Sequence, residues 1–258
     1  MRLKTSAPIS SPGCSRAMIL PFKKKKPHKT REGKIALTLK AHAIDTVIDI
    51  GANNGQTRDY LRFGGYEGDI ISVEPLPALQ ETLQDKAKRD PHWSVLPPLA
   101  IGDRDGTCLM NVSEASDMSS ALPSSSALMS ALPKTRVVEQ VEVPMKTLDT
   151  LLSDLNLEGR NVFVKMDTQG YEMRILENAP MALPALKGLQ LELSLFELYE
   201  GETLYDDIIA FLKTRGFHAH MIVENNFSRK LNRQLQVDGI FYKEQKRDKI
   251  QGARCKND

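Results

Sequence analysis

The chain has 258 residues, of which 41% are hydrophobic and 26% are charged, a composition typical of a globular protein with one large domain or two small ones. No run approaches the ~18–20 apolar residues that cross a bilayer, and the apolar run at 17–22 is too short for a signal peptide. The net charge of +2 divides into +10 over residues 1–40, −11 over 41–242 and +3 over 243–258, and an acidic body argues against broad nucleic-acid binding.

The two basic ends are predicted to be disordered, as a leader at 1–34 and a tail at 244–258 around one folded domain at 35–243. A weak contact of the Lys-rich leader with phosphates or with an anionic membrane surface is the alternative interpretation. The three cysteines, Cys14, Cys108 and Cys255, are scattered and lack metal-site spacing. We therefore expect a reduced, cytoplasmic location.

The first half of the folded part alternates between predicted helices and strands. A short helix is expected at 35–39. It is followed by a strand at 46–50, a helix at 56–63, a strand at 69–73, a helix at 77–88, a third strand formed by 92–96 and 99–101, and the first arm of a hairpin at 107–112.

Residues 113–135 are rich in serine, contain the triplet Ser-Ala-Leu three times and include two prolines. This composition predicts a low-complexity loop and not a stacking repeat, because the period is too short to form a structural unit. A loop this long inside a compact domain is either a lid over a binding site or plain disorder, and the sequence leaves both open.

The second half continues the alternation, with strands predicted at 137–143, 162–166, 189–195, 218–223 and 239–242, and helices at 147–155, 171–178 and 205–214. Thr147 is the expected N-cap of its helix. Strands that alternate with helices predict an α/β fold with a mainly parallel sheet and helices on both faces.

The stretch Asp49-Ile-Gly-Ala-Asn-Asn-Gly-Gln56 follows the first strand, where a parallel sheet binds its ligand. A dinucleotide fingerprint needs a glycine where Asn53 stands, so the pattern suits a ligand without a pyrophosphate. Glu74 ends the second strand, and a carboxylate there accepts hydrogen bonds from both hydroxyls of a ribose. An acidic domain with these features predicts S-adenosylmethionine, whose sulfonium is cationic. An ordinary tight turn with a surface glutamate is the alternative.

Six stretches together resemble the FkbM-type methyltransferases: VIDIGANNGQT, ISVEPLP, LAIGDRDGT, KTLDTLL, FVKMDTQGYEMRILENA and LQLEL. The resemblance covers residues 46 to about 242, and DTQGYE, at 167–172, is its most diagnostic part. The resemblance implies a Rossmann-like class I methyltransferase fold, a seven-stranded sheet whose last strand is antiparallel. It also implies methylation of hydroxyl oxygens on sugars, polyketide-derived compounds and similar metabolites.

The resemblance also suggests residues for the cofactor. It implies that the loop under the methionine part contains Asp49, Gly51, Ala52, Asn53 and Gly55, that Glu74 binds the ribose, and that Gly102 and Asp103 lie near the adenine amino group. No metal is expected, because the pair His218 and His220 lacks a third ligand and is better interpreted as a surface pair.

Methyl transfer to an alcohol needs a positioned acceptor and a base for its proton. Asp167, where such enzymes bring side chains near the methyl group, is the first candidate base, and Glu172 is the second; a helix-start carboxylate is the alternative for Glu172. Ser119, Ser120 and Glu192 are the acceptor-binding candidates, although Glu192 could equally be a paired acid inside its strand. The segments 113–135 and 196–204 are expected to surround the acceptor.

Two other functions remain open at this point. One is a nicotinamide-dependent oxidoreductase, which the missing glycine at Asn53 disfavours. The other is a non-catalytic cofactor-binding module, which the presence of Asp167 and Glu172 disfavours. The expected partner is a hydroxyl-bearing small molecule or glycan and not a nucleic acid.

Overall fold

The computed structural model describes residues 29–243, so the tail and all but the last residues of the leader lie outside the described part. The strands, in chain order, are β1 (Thr46–Ile50), β2 (Asp69–Val73), β3 (Trp93–Val95), β4 (Ala100–Gly102), β5 (Gly106–Ser113), β6 (Val137–Thr147), β7 (Val162–Met166), β8 (Gly188–Ser194), β9 (Phe217–Glu224), β10 (Phe227–Ser228), β11 (Arg233–Gln234) and β12 (Gln236–Lys243). The helices are α1 (Arg31–Ala41), α2 (Gln56–Phe63), α3 (Pro77–Ala87), α4 (Ser126–Ala131), α5 (Leu148–Leu155), α6 (Glu172–Glu177), α7 (Ala182–Ala185) and α8 (Tyr205–Thr214).

The main sheet has seven strands in the order β3-β2-β1-β7-β8-β12-β9. The pairs among β3, β2, β1, β7 and β8 are parallel, whereas β12 is antiparallel to both of its neighbours, β8 and β9. This is the sheet that the resemblance implied, including its antiparallel last strand. The Rossmann-like α/β fold is therefore confirmed.

Helices cover both faces of this sheet because its central strands are apolar on both faces. Neighbouring residues alternate between two core clusters: Val47 and Phe163 pack with Leu39 of α1, and Ile48 and Val164 pack with Ile175 of α6. Side chains of successive strand residues point to opposite faces, so the two clusters lie on opposite sides of the sheet. This explains the continuous apolar runs that the sequence shows for β1 and β7.

A second sheet, β4-β6-β5, corrects the predicted third strand. Residues 92–96 and 99–101 do not form one strand: β3 pairs with β2, and β4 pairs with β6. The physical reason is Pro97-Pro98, because two successive prolines have no N–H groups to donate and stop the ladder between the two segments. The predicted hairpin arm is confirmed as β5, which pairs antiparallel with β6.

The serine-rich stretch 113–135 is more ordered than predicted. It contains the single-turn 3-10 helices Ser116–Met118 and Pro133–Thr135 and, between them, α4. Ser125 is the N-cap of α4, where its hydroxyl accepts a hydrogen bond from the Leu128 N–H, and the Leu128 side chain is buried in the main core. The serines that suggested disorder therefore include a helix cap.

Smaller differences concern the ends of elements. Helix α1 begins at Arg31, four residues before the predicted start, because Thr30 caps it by accepting from the Gly33 N–H; residues 31–34 therefore belong to this helix and not to the leader. Thr147 caps α5 as predicted. The prediction missed three short elements, α7, β10 and β11.

Candidate functional site

A cavity of about 280 Å³ opens at the carboxyl ends of β1, β2 and β7. Gly51, Ala52, Asn53, Glu74 and Asp167, all predicted site residues, line it. The ligand position expected for an open parallel sheet is thus the position of the cavity.

The turn after β1 needs its first glycine. Gly51 has φ of +76°, and a Cβ atom there would lie 2.1 Å from the carbonyl oxygen of Asp167. Asn53 also has positive φ, at +46°, and Gly55, at +80°, is the N-cap of α2. This backbone path brings the turn between β1 and α2 directly against the end of β7. Gly55 itself packs on Trp93 and does not line the cavity.

Glu74 ties two parts of the cavity wall together. Its carboxylate accepts hydrogen bonds from the backbone N–H groups of Asn53, at 2.7 Å, and Leu76, at 3.0 Å. Burial raises the pKa of Glu74 to about 7, although these two hydrogen bonds act in the opposite direction. Each carboxylate oxygen keeps a further lone pair, so the side chain can still accept from a ligand hydroxyl.

Around Glu74 the cavity is largely apolar. This half is lined by side chains of the second sheet and of the loops beside it, chiefly Leu76, Leu99, Ala100, Ile101, Cys108, Met110 and Met145, with Ser116 and Asp117 as polar additions. A largely apolar cleft with an acidic side chain suits a nucleoside, whose base is flat and whose ribose presents two hydroxyls. We call this part the cofactor half of the cavity.

The other half is polar, and Lys165 lies at its base. The Lys165 ammonium is 3.4 Å from Asp49 Oδ1 and 3.2 Å from Asp167 Oδ2. Burial alone would lower the pKa of Lys165, but the charges of Asp167 and Asp49 more than offset it, so that the pKa is raised. Lys165 is therefore paired with both aspartates.

Asp49 lies behind the cavity wall and does not line it. It is fully buried, and neither of its carboxylate oxygens accepts a hydrogen bond of ordinary geometry from any residue between 29 and 243. Burial raises the pKa of Asp49, while the Lys165 ammonium acts against this rise. Asp49 thus lies beneath the cavity wall beside Lys165, and the cofactor contact assigned to it stays a prediction.

Asp167 and Glu192 are joined by one side chain. Gln169 Nε2 donates to Asp167 Oδ1 at 2.6 Å and to Glu192 Oε2 at 2.7 Å. Asn225 and Gln236 also donate to Glu192, each at 2.7 Å. Burial, together with the charges of Asp167, Asp238 and Glu172, raises the pKa of Glu192. Glu192 is thus paired inside the protein and also lines the cavity, and its contact with an acceptor stays a prediction.

Glu172 is turned away from the cavity. Its carboxylate accepts from the backbone N–H groups of Thr168, at 2.8 Å, and Gly170, at 3.0 Å, and from the Thr168 hydroxyl. Burial raises the pKa of Glu172 to about 7 against the effect of these bonds. Its geometry is that of a carboxylate that holds the 167–170 turn in shape.

The predicted acceptor serines differ in position. Ser119 lines the cavity, whereas the hydroxyl of Ser120 donates to the Gln169 carbonyl oxygen, at 2.7 Å, and does not line it. No residue of the segment 196–204 lines the cavity either. That segment packs behind the 167–170 turn, where the Tyr199 hydroxyl contacts Gln169 Oε1 at 2.6 Å.

Gly102 and Asp103 also lie outside the cavity lining. Gly102 is packed against Met145, whose sulfur would be 2.2 Å from an added Cβ, and Asp103 forms an ion pair with Arg104. The cofactor contact assigned to these two residues stays a prediction.

Most of the polar half of the cavity was not predicted from the sequence. Its unpredicted lining residues include Arg31, Tyr60, Gln190, Asn225, Asn226 and Asp238. Arg31 forms an ion pair with Asp238 across the cavity wall. These residues come from α1, α2, β8, β12 and the turn after β9, and no motif or spacing in the sequence links them. Only their three-dimensional arrangement brings them together.

Two further features concern residues 29–243. His218 and His220 are exposed on β9, and in this range no three His, Cys, Asp or Glu side chains are arranged to hold a metal ion. Within the same range, none of the helices combines the length and the apolar character that a membrane span requires.

A comparison with protein families identifies a match over residues 49–219, about two thirds of the chain, to a family described as "Methyltransferase FkbM domain". No curated protein matches the sequence significantly.

Solved structures with similar folds include an rRNA methylase from Streptococcus thermophilus, with 10% identity, a TM-score of 0.44 and coverage of 84% of this chain and 99% of that one. A precorrin-6y C5,15-methyltransferase from Geobacter metallireducens has 13% identity and a TM-score of 0.41, covering 82% and 88%. A SAM-dependent methyltransferase from Aquifex aeolicus has 13% identity and a TM-score of 0.39, covering 82% and 88%. Similarity at this level says nothing about the substrate of this chain.

Proposed function

Because the chain belongs to the FkbM methyltransferase family, we propose that it transfers a methyl group from S-adenosylmethionine to a hydroxyl oxygen of a sugar or a similar polyhydroxylated molecule. The observation that carries the acceptor class is the polar half of the cavity. This half brings together a group of cations, carboxylates, amides and one phenol: Arg31, Tyr60, Lys165, Asp167, Gln169, Gln190, Glu192, Asn225, Asn226 and Asp238. Such a surface can form many hydrogen bonds with hydroxyl groups but has little to offer an apolar acceptor.

The cofactor half fits S-adenosylmethionine. The turn of Gly51, Ala52 and Asn53 would lie beside the methionine part, Glu74 would accept from the ribose hydroxyls, and the apolar residues of the second sheet would pack on the adenine. When bound, the cofactor supplies an electrophilic methyl group on a sulfonium and leaves as the neutral thioether. The absence of a glycine at Asn53 is consistent with a ligand that has no pyrophosphate.

Asp167 is the proposed base. It lines the cavity where the two halves meet, and its side chain is 32% exposed, in contrast to the buried Asp49 and Glu172. When an acceptor hydroxyl takes the methyl group that the bound cofactor would supply, Asp167 would accept the hydroxyl proton. Lys165 and Gln169 hold the two oxygens of Asp167 from opposite sides. Holding the acceptor in line is expected to give most of the acceleration.

Three further parts of the proposal rest on the sequence. One methyltransferase domain accounts for residues 35–243, together with the first turn of α1 at 31–34. Scattered cysteines favour a cytoplasmic location. The acidic body supports a small-molecule or glycan acceptor over a nucleic acid. The Lys-rich leader can add weak contact with an anionic surface.

The proposal is tested in two steps. Calorimetric titration of the full-length protein with S-adenosylmethionine and S-adenosylhomocysteine is expected to give micromolar-range binding, about −8 kcal/mol. Formation of S-adenosylhomocysteine is then measured with two panels of candidate acceptors, one of simple glycosides and a matched one of apolar alcohols and phenols. Turnover confined to the glycosides supports the acceptor class, and turnover confined to the apolar panel refutes it. Binding of NAD(H), with no binding of S-adenosylmethionine or S-adenosylhomocysteine, would favour an oxidoreductase.

A further inference from the structure

We infer that Gln169 is a positioning residue for the methyl transfer, which fixes the proposed base Asp167 by joining it to Glu192; this inference rests on the proposed function. The residue is absent from the predicted site although it lies inside DTQGYE. Its side chain is nonetheless the only one in the described part of the chain that donates hydrogen bonds to both carboxylates.

The orientation of the Gln169 amide is determined by its neighbours. Nε2 faces the two carboxylates, at 2.6 and 2.7 Å, and Oε1 faces the hydroxyl of Tyr199, at 2.6 Å. If the amide were flipped, its oxygen would face two acceptors and repel both, whereas the hydroxyl of Tyr199 can accept as well as donate. Both N–H groups of the amide are therefore committed, one to each carboxylate.

The backbone of Gln169 is held as firmly as its side chain. The residue is 4% exposed and has φ of +53°, in the left-handed region that a residue other than glycine rarely adopts. Its carbonyl oxygen accepts from the Ser120 hydroxyl at 2.7 Å, which anchors the 167–170 turn to the segment after β5. A strained and fully hydrogen-bonded residue beside the proposed base is typical of a functional position.

The consequence for Asp167 is a fixed carboxylate. Gln169 holds Oδ1 and Lys165 holds Oδ2, so rotation of the carboxylate would break one bond or the other. The charged and titratable groups around the two joined carboxylates are Asp49, Lys165, Glu172, Tyr199 and Asp238. Three of these five are carboxyl groups, and the amide N–H groups of Gln169 are favourable partners for Asp167 and Glu192 in this acidic surrounding.

The test compares Gln169→Met with Gln236→Met in the full-length protein. Methionine has nearly the shape of glutamine but no N–H groups, so packing and the backbone conformation are preserved. Gln236 is the matched control, because it is equally buried and donates to Glu192 at 2.7 Å but makes no bond to Asp167. The kcat for a glycoside that the wild type methylates is measured across pH, together with the Kd for S-adenosylmethionine.

Gln169→Met is expected to lower kcat by about 10- to 100-fold, to move the acidic limb of the pH profile to higher pH, and to leave the cofactor Kd within about threefold. Gln236→Met should lower kcat less than about fivefold with an unchanged profile. Equal losses in the two variants would overturn the inference, since the effect would then run through Glu192 or through packing. An unchanged pH profile in Gln169→Met would overturn it as well.

A second measurement needs no acceptor and so separates this inference from the proposed function. The side-chain carboxyl carbon-13 NMR shifts of Asp167 and Glu192 are compared at fixed pH. Both should move in Gln169→Met, and only that of Glu192 in Gln236→Met. If no acceptor is ever methylated, movement of both signals still supports the link through Gln169, and movement of Glu192 alone in both variants refutes it.

Discussion

The backbones of Gly51 and Asp167 are in close contact. A Cβ atom at Gly51 would lie only 2.1 Å from the carbonyl oxygen of Asp167, so only a hydrogen atom fits there. The glycine is the third residue of the DIGANNG stretch and the aspartate opens DTQGYE. The cofactor turn and the turn that carries the proposed base are thus a single packed unit, and a change in one is transmitted to the other.

Gly51→Ala is expected to destabilise the protein by more than the backbone strain of an alanine at positive φ would. Gly65 has a similar φ of +86° but nothing within 4 Å of its Cβ position, so Gly65→Ala measures the strain alone, about 1–2 kcal/mol. Gly51→Ala should lower the free energy of unfolding by at least about twice as much and weaken cofactor binding. Urea unfolding and calorimetry of both variants measure these effects, and equal destabilisation would contradict the packing argument.

Glu74→Ala is expected to weaken S-adenosylmethionine binding by about 30-fold or more, because the change removes the ribose acceptor and frees the Asn53 and Leu76 N–H groups. Glu81→Ala, on the exposed side of α3, is the control and should bind as the wild type does. Calorimetry compares the two. Wild-type affinity in Glu74→Ala would remove this residue from the cofactor site.

The pKa of about 7 for buried Glu74 makes cofactor affinity pH-dependent. Below pH 7 the carboxyl group is mostly protonated, and above it the ionised carboxylate accepts more strongly from the ribose hydroxyls. Affinity should therefore increase as the pH rises through 7, by up to about tenfold. Glu74→Gln cannot ionise, so its affinity should stay flat over the same range. A flat wild-type curve would contradict the prediction.

Glu172→Gln separates the structural interpretation of Glu172 from the catalytic one. The folded-state pKa of about 7 lies above the ordinary value of 4.5, so the folded protein retains a proton that the unfolded chain has lost between these values. The stability that Glu172 contributes is therefore complete below pH 4.5 and is lost as the pH rises through 7.

Between pH 4.5 and 7 the ionisation of Glu172 should lower the unfolding free energy of the wild type by about 1–3 kcal/mol. The unfolding free energy of Glu172→Gln should decrease less over the same range. Chemical unfolding at several pH values measures the difference. The kcat of Glu172→Gln should decrease by less than about tenfold; a loss of ~10²–10⁴-fold would instead identify Glu172 as the base.

Asp167→Asn is expected to lower kcat by ~10²–10⁴-fold, because the amide cannot take the acceptor proton. Its Kd for S-adenosylmethionine should remain within about threefold of the wild-type value. Asp206→Asn, at an exposed position in the first turn of α8, is the control. Steady-state kinetics and calorimetry are compared for both. Retention of kcat in Asp167→Asn would require another base.

The sequence allowed the cofactor half to be predicted more fully than the acceptor half, for a physical reason. Gly51 and Glu74 follow consecutive strands, so local periodicity is enough to bring them to one edge of the sheet. Arg31, Asn225 and Asp238 are far apart in the chain and meet only because β12 inserts antiparallel between β8 and β9. A strand order of this kind depends on tertiary packing, and no local pattern in the sequence indicates it.

The prediction that joined β3 and β4 into one strand was wrong for a different reason, because the sequence does contain a signal that separates them. Pro97-Pro98 separates the two segments that were joined into one strand, and a proline pair cannot continue a ladder. The prediction for the serine-rich stretch was incomplete for a third reason. Its composition indicates a loop, as a lid or as disorder, and does not reveal that Leu128 is buried in the main core or that Ser125 caps the helix that carries it.

The two halves of the cavity are built by different parts of the fold. Apart from Tyr171, the apolar wall comes from a continuous stretch between β1 and β6, and the polar wall comes largely from helix α1, the turn after β9, and the strands β8 and β12. With the proposed roles of the two halves, substitutions in the second group would change the choice of acceptor and leave the nucleoside contacts in place. Such a division would let the acceptor change through a few scattered side chains while the cofactor chemistry stayed the same.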